Sequence, residues 1–304
     1  MRKKRIETAT SRTAEMTCIS RAISSLETDS RYRSDDYIAV RLLPDLFRFL
    51  VRIPLFRRVV SRKIAPMGIY EYVIARTRYI DAVFKEALAE KFGQVLIFGA
   101  GFDTRALRFG ISAGDTKIFE LDVPVTQNAK IGQYRKRKLP IPPNVVFVPV
   151  DFDREPIASK LDAAGFDRDA RSLFILEGLL MYLQPESVEA AFRTIQAFAG
   201  KGSEVVFDHV YASVLRCENL TYGEAKIVRM ASRAGEAWHF GIEKGAIEGF
   251  LATYDLRLIE QLDADALEEM YFRGCPGAAV CGDTAGSRVG LINGVHCLVR
   301  AIRA

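Results

Sequence analysis

A glycine turn followed by acidic residues is the part of the sequence with the clearest chemical meaning. Gly99 and Gly101 follow four apolar residues, and a helix-forming stretch begins just after them. Glycines let a ligand lie close to the backbone, and a helix N-terminus favours groups that accept hydrogen bonds. About 20 residues further on, Glu120 and Asp122 end a second apolar run, where carboxylates can accept hydrogen bonds from ribose hydroxyls. These residues predict a site for a cofactor that contains adenosine.

The turn itself indicates which adenosine cofactor fits. A dinucleotide-binding turn has a third glycine, but Thr104 stands at that position here, with Asp103 before it. An aspartate can cap a helix start, yet its charge is unfavourable beside a pyrophosphate. S-adenosyl-L-methionine has no phosphate and carries a sulfonium and an ammonium, so it suits an acidic turn. We favour that cofactor over a nicotinamide dinucleotide; a turn that serves packing alone is the alternative.

Acidic residues also follow the other predicted strands of the central region. Asp151 and Phe152 follow one strand and suit adenine, with a carboxylate for the amine and a ring for the base face. Glu177 and Asp208 end the next two strands. Ligands of an open parallel sheet bind beyond the carboxyl ends of its strands. We expect the summed negative field of these acids to favour a cationic ligand.

The elements that position these residues alternate between strands and helices. This alternation predicts an α/β fold with a parallel sheet covered on both faces. We assign residues 1–90 to a helical N-terminal cap and residues 91–304 to the core, with a lid insertion at about 210–241. Predicted strands cover 94–98, 117–121, 145–150, 172–176, 203–208, 255–262 and 295–302, and predicted helices cover 14–26, 37–51, 70–92, 104–112, 125–138, 156–164, 186–199 and 243–254. The glycine-rich stretch 274–294 is predicted to be a loop.

Composition limits the classes of function. The 304 residues are 49% hydrophobic and 27% charged, which is typical of a globular protein, and the net charge of +5 is too small to indicate a nucleic-acid partner. Five scattered cysteines predict neither a disulfide framework nor a metal site, and they favour a cytoplasmic location. The apolar stretch 42–56 is interrupted by charges and prolines, so it cannot span a bilayer and we expect no membrane partner.

Several motifs in a fixed order resemble the leucine carboxyl methyltransferase family. The resemblance covers about residues 70–210. It implies a class I methyltransferase fold: a Rossmann-like, seven-stranded, mostly parallel sheet with helices on both faces and an added helical cap. It also implies S-adenosyl-L-methionine as the cofactor. The motifs are residues 76–81, 99–104, 120–124, 151–152 and 177–183.

The resemblance implies a role for each matching residue. Arg76 would hold the methionine carboxylate of the cofactor, since a guanidinium matches a carboxylate as a fork. Asp122 would bind the ribose hydroxyls, and Tyr182 would point toward the methyl acceptor. A surface charge for Arg76 and a core tyrosine for Tyr182 are the alternatives. The predicted cofactor-binding residues are Arg76, Gly99, Gly101, Asp103, Glu120, Asp122, Asp151, Phe152 and Glu177, and the predicted catalytic residues are Tyr182 and Arg76.

The family resemblance and the shortage of bases favour a carboxylate acceptor. A carboxylate is ionised at neutral pH, so methyl transfer to it requires alignment and exclusion of water rather than a strong base. The chain has three histidines, of which His209 at a strand end is the one candidate base. We predict an O-methyltransferase acting on a small-molecule carboxylate. A protein C-terminal carboxyl methyltransferase, a non-catalytic S-adenosyl-L-methionine-binding protein and a nicotinamide-dependent oxidoreductase are alternatives; the missing third glycine disfavours the last.

Overall fold

A single seven-stranded sheet forms the centre of the protein. The computed structural model describes residues 11–61, 65, 67–234, 237–273 and 290–304. The strands are β1 Gln94–Phe98, β2 Lys117–Asp122, β3 Val145–Pro149, β4 Ser172–Leu176, β5 Glu204–Val210, β6 Leu256–Leu262 and β7 His296–Arg303. Their order is β3-β2-β1-β4-β5-β7-β6, and β7 is antiparallel to both of its neighbours. The predicted strands and the predicted fold class are confirmed.

The pairing register aligns the carboxyl ends of β1, β2 and β4 at the same edge of the sheet. Phe98 at the end of β1 pairs with Leu121 of β2 on one side and with Leu176 of β4 on the other. The loops that follow these three strands therefore begin side by side. Every residue of β1 and β4 is buried, because helices cover both faces of the sheet there.

Helices connect the strands and cover the sheet. The predicted helix 37–51 is wrong in one respect, since it divides at Pro44 into two helices. Leu43 before that proline has extended backbone, as steric contact with a proline ring requires. The helices are α1 Arg12–Ser25, α2 Tyr37–Leu42, α3 Asp45–Leu50, α4 Pro54–Val59, α5 Ile69–Ala89, α6 Arg105–Phe109, α7 Pro124–Lys136, α8 Ile157–Ala163, α9 Pro185–Phe198, α10 Ala212–Leu215, α11 Glu224–Ala234, α12 Ile247–Ala252 and α13 Ala264–Glu268.

The N-terminal helices join the sheet through α5. Side-chain oxygens of Ser11 and Asp36 cap α1 and α2 by accepting the amide hydrogens of Ala14 and Ala39. Apolar residues of α1, α2 and the beginning of α5 form one buried cluster. Other residues of α5, among them Val83, pack in the same cluster as β1. Helix α5, the longest helix among the described residues, therefore connects the proposed cap to the sheet.

The segment after β5, where the sequence predicted a lid insertion at about 210–241, departs from the regular alternation of strands and helices. It contains α10 and α11, and its later part pairs back onto the sheet region through a bridge between Tyr211 and Ile242. Of the predicted glycine-rich loop 274–294, residues 274–289 lie outside the described residues. None of the helices in the described ranges is long and apolar enough to cross a membrane.

Candidate cofactor and acceptor site

The turn after β1 requires glycine for two physical reasons. Gly99 has a φ of +57° and Gly101 a φ of +46°, both in the left-handed region that side chains disfavour. A Cβ atom at Gly99 would also lie 2.8 Å from Cδ1 of Leu179, which belongs to the loop after β4. The turn therefore packs its backbone closely against that loop, and its part in binding a ligand stays a prediction.

Asp122 at the end of β2 is held by backbone amides. Its two carboxylate oxygens accept hydrogen bonds from the amides of Gly101 and Val123, the latter at 2.6 Å. The side chain is buried, and burial raises the pKa of Asp122 to about 6 because it disfavours the charged form. Asp122 thus links the end of β2 to the glycine turn after β1.

Glu120 lies on the same face of β2, two residues earlier. Its Oε2 is 2.8 Å from Nζ of Lys130 in α7, and both side chains are almost completely buried. Burial raises the pKa of Glu120 to about 7, and the charge of Lys130 opposes that rise. Oε1 of Glu120 is buried without a hydrogen-bond partner. The predicted ligand residue is therefore part of an enclosed ion pair.

A fully buried arginine at the start of α6 organises three acids. Nε of Arg105 lies 2.7 Å from Asp81, and its Nη1 lies 2.5 Å from Asp103 and 2.6 Å from Glu177. Asp103 also accepts the backbone amide hydrogen of Arg105 at 2.6 Å, which fixes the helix start. Burial opposes ionisation of Asp103, but the charge of Arg105 holds the pKa of that carboxyl below its usual value. Asp103 and Glu177 are therefore rigidly placed beside the glycine turn.

Arg76 of α5 connects the ends of β4 and β5. Its Nε lies 3.1 Å from Glu177 and its Nη1 lies 2.6 Å from Asp208. Asp208 also accepts hydrogen bonds from the Tyr72 hydroxyl at 2.8 Å and from the Gly178 amide at 2.5 Å. Gly178 has a φ of +60°, and a Cβ there would lie 3.2 Å from Nη1 of Arg76. The guanidinium therefore lies directly against the backbone that follows β4.

The prediction that the acids at the strand ends create a negative field is wrong for most of them, because buried cations pair with these carboxylates. Glu120 pairs with Lys130, whereas Glu177 and Asp208 pair with arginines. A buried carboxylate without a partner would cost several kcal/mol, so the fold supplies cations where acids are enclosed. Among the acids that end the described strands, Asp122 is distinguished by a shell of backbone amides in place of a cation.

Asp151 and Phe152 lie in different surroundings after β3. Phe152 is buried, and its ring centroid is 6.2 Å from that of Phe98 at the end of β1. Asp151 is partly exposed and accepts the amide hydrogen of Asp153 at 3.1 Å, while its own amide donates to Glu155. The pair is held beside the end of β1, at the edge of the sheet where the glycine turn begins.

Tyr182 ends a short 3-10 turn, Leu180–Tyr182, in the loop that follows β4. Its hydroxyl lies 3.5 Å from Oγ1 of Thr13 at the beginning of α1. The carbonyl of Met181 in the same turn accepts the amide hydrogen of His239 at 2.7 Å. The N-terminal cap and the segment after α11 therefore both contact the loop that carries Tyr182.

The aromatic side chains of Tyr72, Trp238 and His296 pack together next to Asp208. The ring of His296 stacks on Tyr72 with centroids 4.3 Å apart, and Trp238 meets the same imidazole edge-on at 5.8 Å. Burial lowers the pKa of His296 to about 3. The imidazole is therefore neutral at pH 7, and its ring packs between Tyr72 and Trp238 beside the charged network.

His209, the candidate base, points into the protein at the end of β5. Its Nδ1 lies 3.0 Å from the carbonyl oxygen of Val210, and the residue is 1% exposed. Burial lowers the pKa of His209 below its ordinary value. These features are typical of a structural histidine and disfavour His209 as the catalytic base.

The residues present fit S-adenosyl-L-methionine. Gly99 and Gly101 present bare backbone, and Asp122 is fixed by amides that leave oxygen lone pairs for donors such as ribose hydroxyls. Among the described residues, no group of three or more His, Cys, Asp or Glu side chains is placed to hold a metal ion. The unpaired Oε1 of Glu120 is a further acceptor beneath this edge of the sheet.

Sequence reasoning missed the cations and aromatic residues that support the site. Arg105, Lys130, Tyr72 and His296 were not predicted as functional residues. One signal was available for Arg105, since a charged residue precedes the apolar pair Ala106 and Leu107 in a helix that must pack on the sheet. The others have no local signal, because their partners are distant in the sequence.

A mostly parallel seven-stranded sheet with an antiparallel β7, a glycine turn after β1 and an acid after β2 defines the class I methyltransferase fold. Two solved structures share the fold at a TM-score of 0.58 and 15% identity. One is a proposed methyltransferase from Thermobifida fusca, aligned over 94% of each chain. The other is a DUF574 family protein from Streptomyces avermitilis, aligned over 98% of this chain and 100% of that one.

The particular family follows from the sequence comparison. The family model "Leucine carboxyl methyltransferase" matches residues 14–196, so the chain belongs to this family of S-adenosyl-L-methionine-dependent methyltransferases. YktD of Bacillus subtilis, named as a proposed methyltransferase of this kind, is 27% identical over 199 residues, which are 66% of this chain and 65% of that protein. A Mycobacterium marinum protein with the same description is 32% identical over 214 residues, which are 67% of this chain and 68% of its own length.

Proposed function

We propose that this protein transfers the methyl group of S-adenosyl-L-methionine to a carboxylate oxygen of a small, partly apolar molecule. The observation that carries the proposal is the kind of histidine found beside the site. His209 and His296 are both buried with lowered pKa values, so neither is suited to take a proton from a phenol or an alcohol. The third histidine, His239, is exposed and contacts the loop that carries Tyr182 through its backbone amide. An acceptor that is already ionised avoids this requirement.

The residues at the strand ends would divide the binding of the cofactor between them. Asp122 would accept hydrogen bonds from the ribose hydroxyls, and Asp151 with Phe152 would hold the adenine. Arg76 would attract the carboxylate at the methionine end, with Glu177 beside it. Gly99, Gly101 and Asp103 would form the backbone surface against which the cofactor lies. Glu120 would support Asp122 from the enclosed side of β2.

When bound, S-adenosyl-L-methionine supplies an electrophilic methyl group on a sulfonium. The protein's own contribution would be to align the acceptor oxygen with that methyl group and to exclude water. Tyr182 would orient the acceptor through its hydroxyl. The contacts of its loop with Thr13 and His239 support this role, because they join the cap and the inserted segment over the same edge of the sheet.

The cysteines support a cytoplasmic location for this activity. Cys18, Cys217 and Cys297 are free thiols, and reduced thiols are the ordinary state of cysteines in the cytoplasm. We infer that a soluble small-molecule acid would meet the enzyme there. The mildly basic chain, with a net charge of +5, would attract such an anion.

The proposal is tested with donor labelled in its methyl group and a panel of small carboxylic acids. A methyl ester hydrolyses in mild alkali, so the label is expected to appear as volatile methanol after alkali treatment. The rate is expected to stay flat from about pH 6 to pH 9, because a carboxylic acid does not titrate in that range. Label that survives alkali as an ether or a methylamine would reject the carboxylate while leaving methyl transfer in place.

A further inference from the structure

Two helices of the N-terminal cap carry apolar side chains that the core does not use. α3 and α4 together contain seven leucine, phenylalanine and valine residues, yet none of their twelve residues, all of which the structure describes, is buried. Leu46, Phe49 and Leu55 are 65%, 66% and 69% exposed. Several large apolar side chains that are exposed within ten residues of sequence are typical of a site of interaction.

The segment between α3 and α4 is anchored in the protein interior, and the side chains of Leu46, Phe49 and Leu55 face solvent. Val51 is completely buried and packs in the cluster formed by α1 and α2. Ile53, two residues later, is again exposed. We call the exposed side chains of residues 46–58 the cap surface. Because Val51 and the partly buried Phe56 both pack in that cluster, the cap surface is a fixed feature of the fold.

The charges of the cap surface have one sign. Residues 37–61 contain five arginines and a single acid, Asp45. Arg48, Lys136 and Arg137 all lie within 3.1 Å of the Asp45 carboxylate, so this acid is already neutralised. The apolar side chains therefore lie in a basic surrounding to which an anionic partner is complementary.

We propose that the cap surface binds the surface of an anionic lipid bilayer. Apolar and basic residues alternate closely along it, as Arg48 between Phe47 and Phe49 illustrates. At a bilayer surface such side chains separate naturally: the rings and leucines enter the boundary of the acyl chains, and the arginine stems extend to the headgroups. The two helices have six residues each, so they lie on the membrane and do not cross it.

A second copy of this chain is a poorer occupant for the same surface. A symmetric dimer would place the cap surface of one protomer on that of the other. The arginines of the two copies would then face each other, and like charges across an interface oppose association. Residues 42–56 are too interrupted by charges and prolines to span a bilayer, but helices that lie on the bilayer surface do not need to span it.

The test is sedimentation of the full-length protein with vesicles. Vesicles of phosphatidylcholine and phosphatidylglycerol in equal amounts are expected to bind the protein, and vesicles of phosphatidylcholine alone are expected to bind it much less. The variant L46S/L55S is expected to lower the partition coefficient by about tenfold or more, because two large apolar groups no longer enter the boundary. Replacing Arg52 by Gln is expected to lower it by about fivefold on anionic vesicles.

The matched control is I111S/L220S, which removes two aliphatic side chains that are 78% and 69% exposed elsewhere on the surface. It is expected to bind vesicles like the unchanged protein. Failure to bind anionic vesicles, equal binding to both vesicle types, or equal loss in both double variants would overturn the proposal. Concentration-dependent dimerisation without vesicles that L46S/L55S abolishes would assign the cap surface to self-association instead. Vesicle binding is measured without cofactor or acceptor, so its outcome is independent of the proposed methyl transfer.

Discussion

The two ends of the candidate cofactor site hold buried acids in different ways. At the ends of β4 and β5, arginines bind the carboxylates of Glu177 and Asp208. At the end of β2, backbone amides bind Asp122. Burial opposes ionisation of Asp208, but the charge of Arg76 holds the pKa of that carboxyl below its usual value, so Asp208 stays ionised and serves the scaffold. Burial raises the pKa of Asp122 to about 6, and the hydrogen bonds from its two amide partners offset this rise only in part. The Asp122 oxygens keep lone pairs for further donors.

The strongest test of the scaffold end is Arg105→Met. The change would leave Asp81, Asp103 and Glu177 without the cation that all three share, and breaking a buried charge network of this kind costs about 3–5 kcal/mol. We expect the free energy of unfolding, measured with denaturant, to fall by that amount. The control is Arg216→Met, since Arg216 pairs with Glu218 and Glu243 in an exposed position and its loss should change stability little. Equal effects of the two changes would remove the distinction between buried and exposed networks.

Asp122→Ala tests the ligand end. The change would remove two hydrogen bonds from ribose hydroxyls to a charged group, each worth about 1.5–3 kcal/mol. We expect the dissociation constant of S-adenosylhomocysteine, measured by calorimetry, to rise at least about tenfold. A folded variant with an unchanged dissociation constant would show that Asp122 only braces the glycine turn.

The raised pKa of Asp122 makes a prediction about pH. Its pKa of about 6 means that the carboxylate is ionised at pH 7.5 and protonated at lower pH. If Asp122 binds the ribose as proposed, its ionised form is the stronger acceptor, so affinity for S-adenosylhomocysteine is expected to fall as pH drops through about 6, approaching tenfold per pH unit. The Asp122→Asn variant is the control and should lack this dependence. A dependence that persists in it would belong to Glu120, whose pKa is raised to about 7.

Arg76→Lys gives the smallest expected effect and separates two roles. Lysine keeps the charge near Glu177 and Asp208 but loses the fork of the guanidinium. If Arg76 contacts the cofactor, affinity for S-adenosylhomocysteine should fall several-fold with kcat reduced as well. If it serves only as a counterion, the melting temperature should fall while the affinity of the folded protein stays the same.

The fold could be predicted because its signals are local. Continuous apolar runs such as 94–98 and 172–176 are typical of strands buried on both faces, and both are strands. The prediction of one helix over residues 37–51 was wrong, because the apolar periodicity was given more weight than Pro44, which interrupts the helix. The gathering of the predicted site residues could be foreseen for a related reason, since parallel strands must end at one edge of the sheet, and the acids stand at those ends.

The sequence by itself determined the sheet, the glycine turn and the position of the acids, because each depends on neighbouring residues and their spacing. Only the tertiary structure decided which acids pair with buried cations and which pair with backbone amides. Arg105 reaches Asp81 across 24 residues and Glu177 across 72, because α5 and the loop after β4 pack against the start of α6. Whether a buried carboxylate meets a cation or an amide depends on that packing. The same holds for α3 and α4, whose apolar pattern is typical of core helices, while the fold leaves both on the surface.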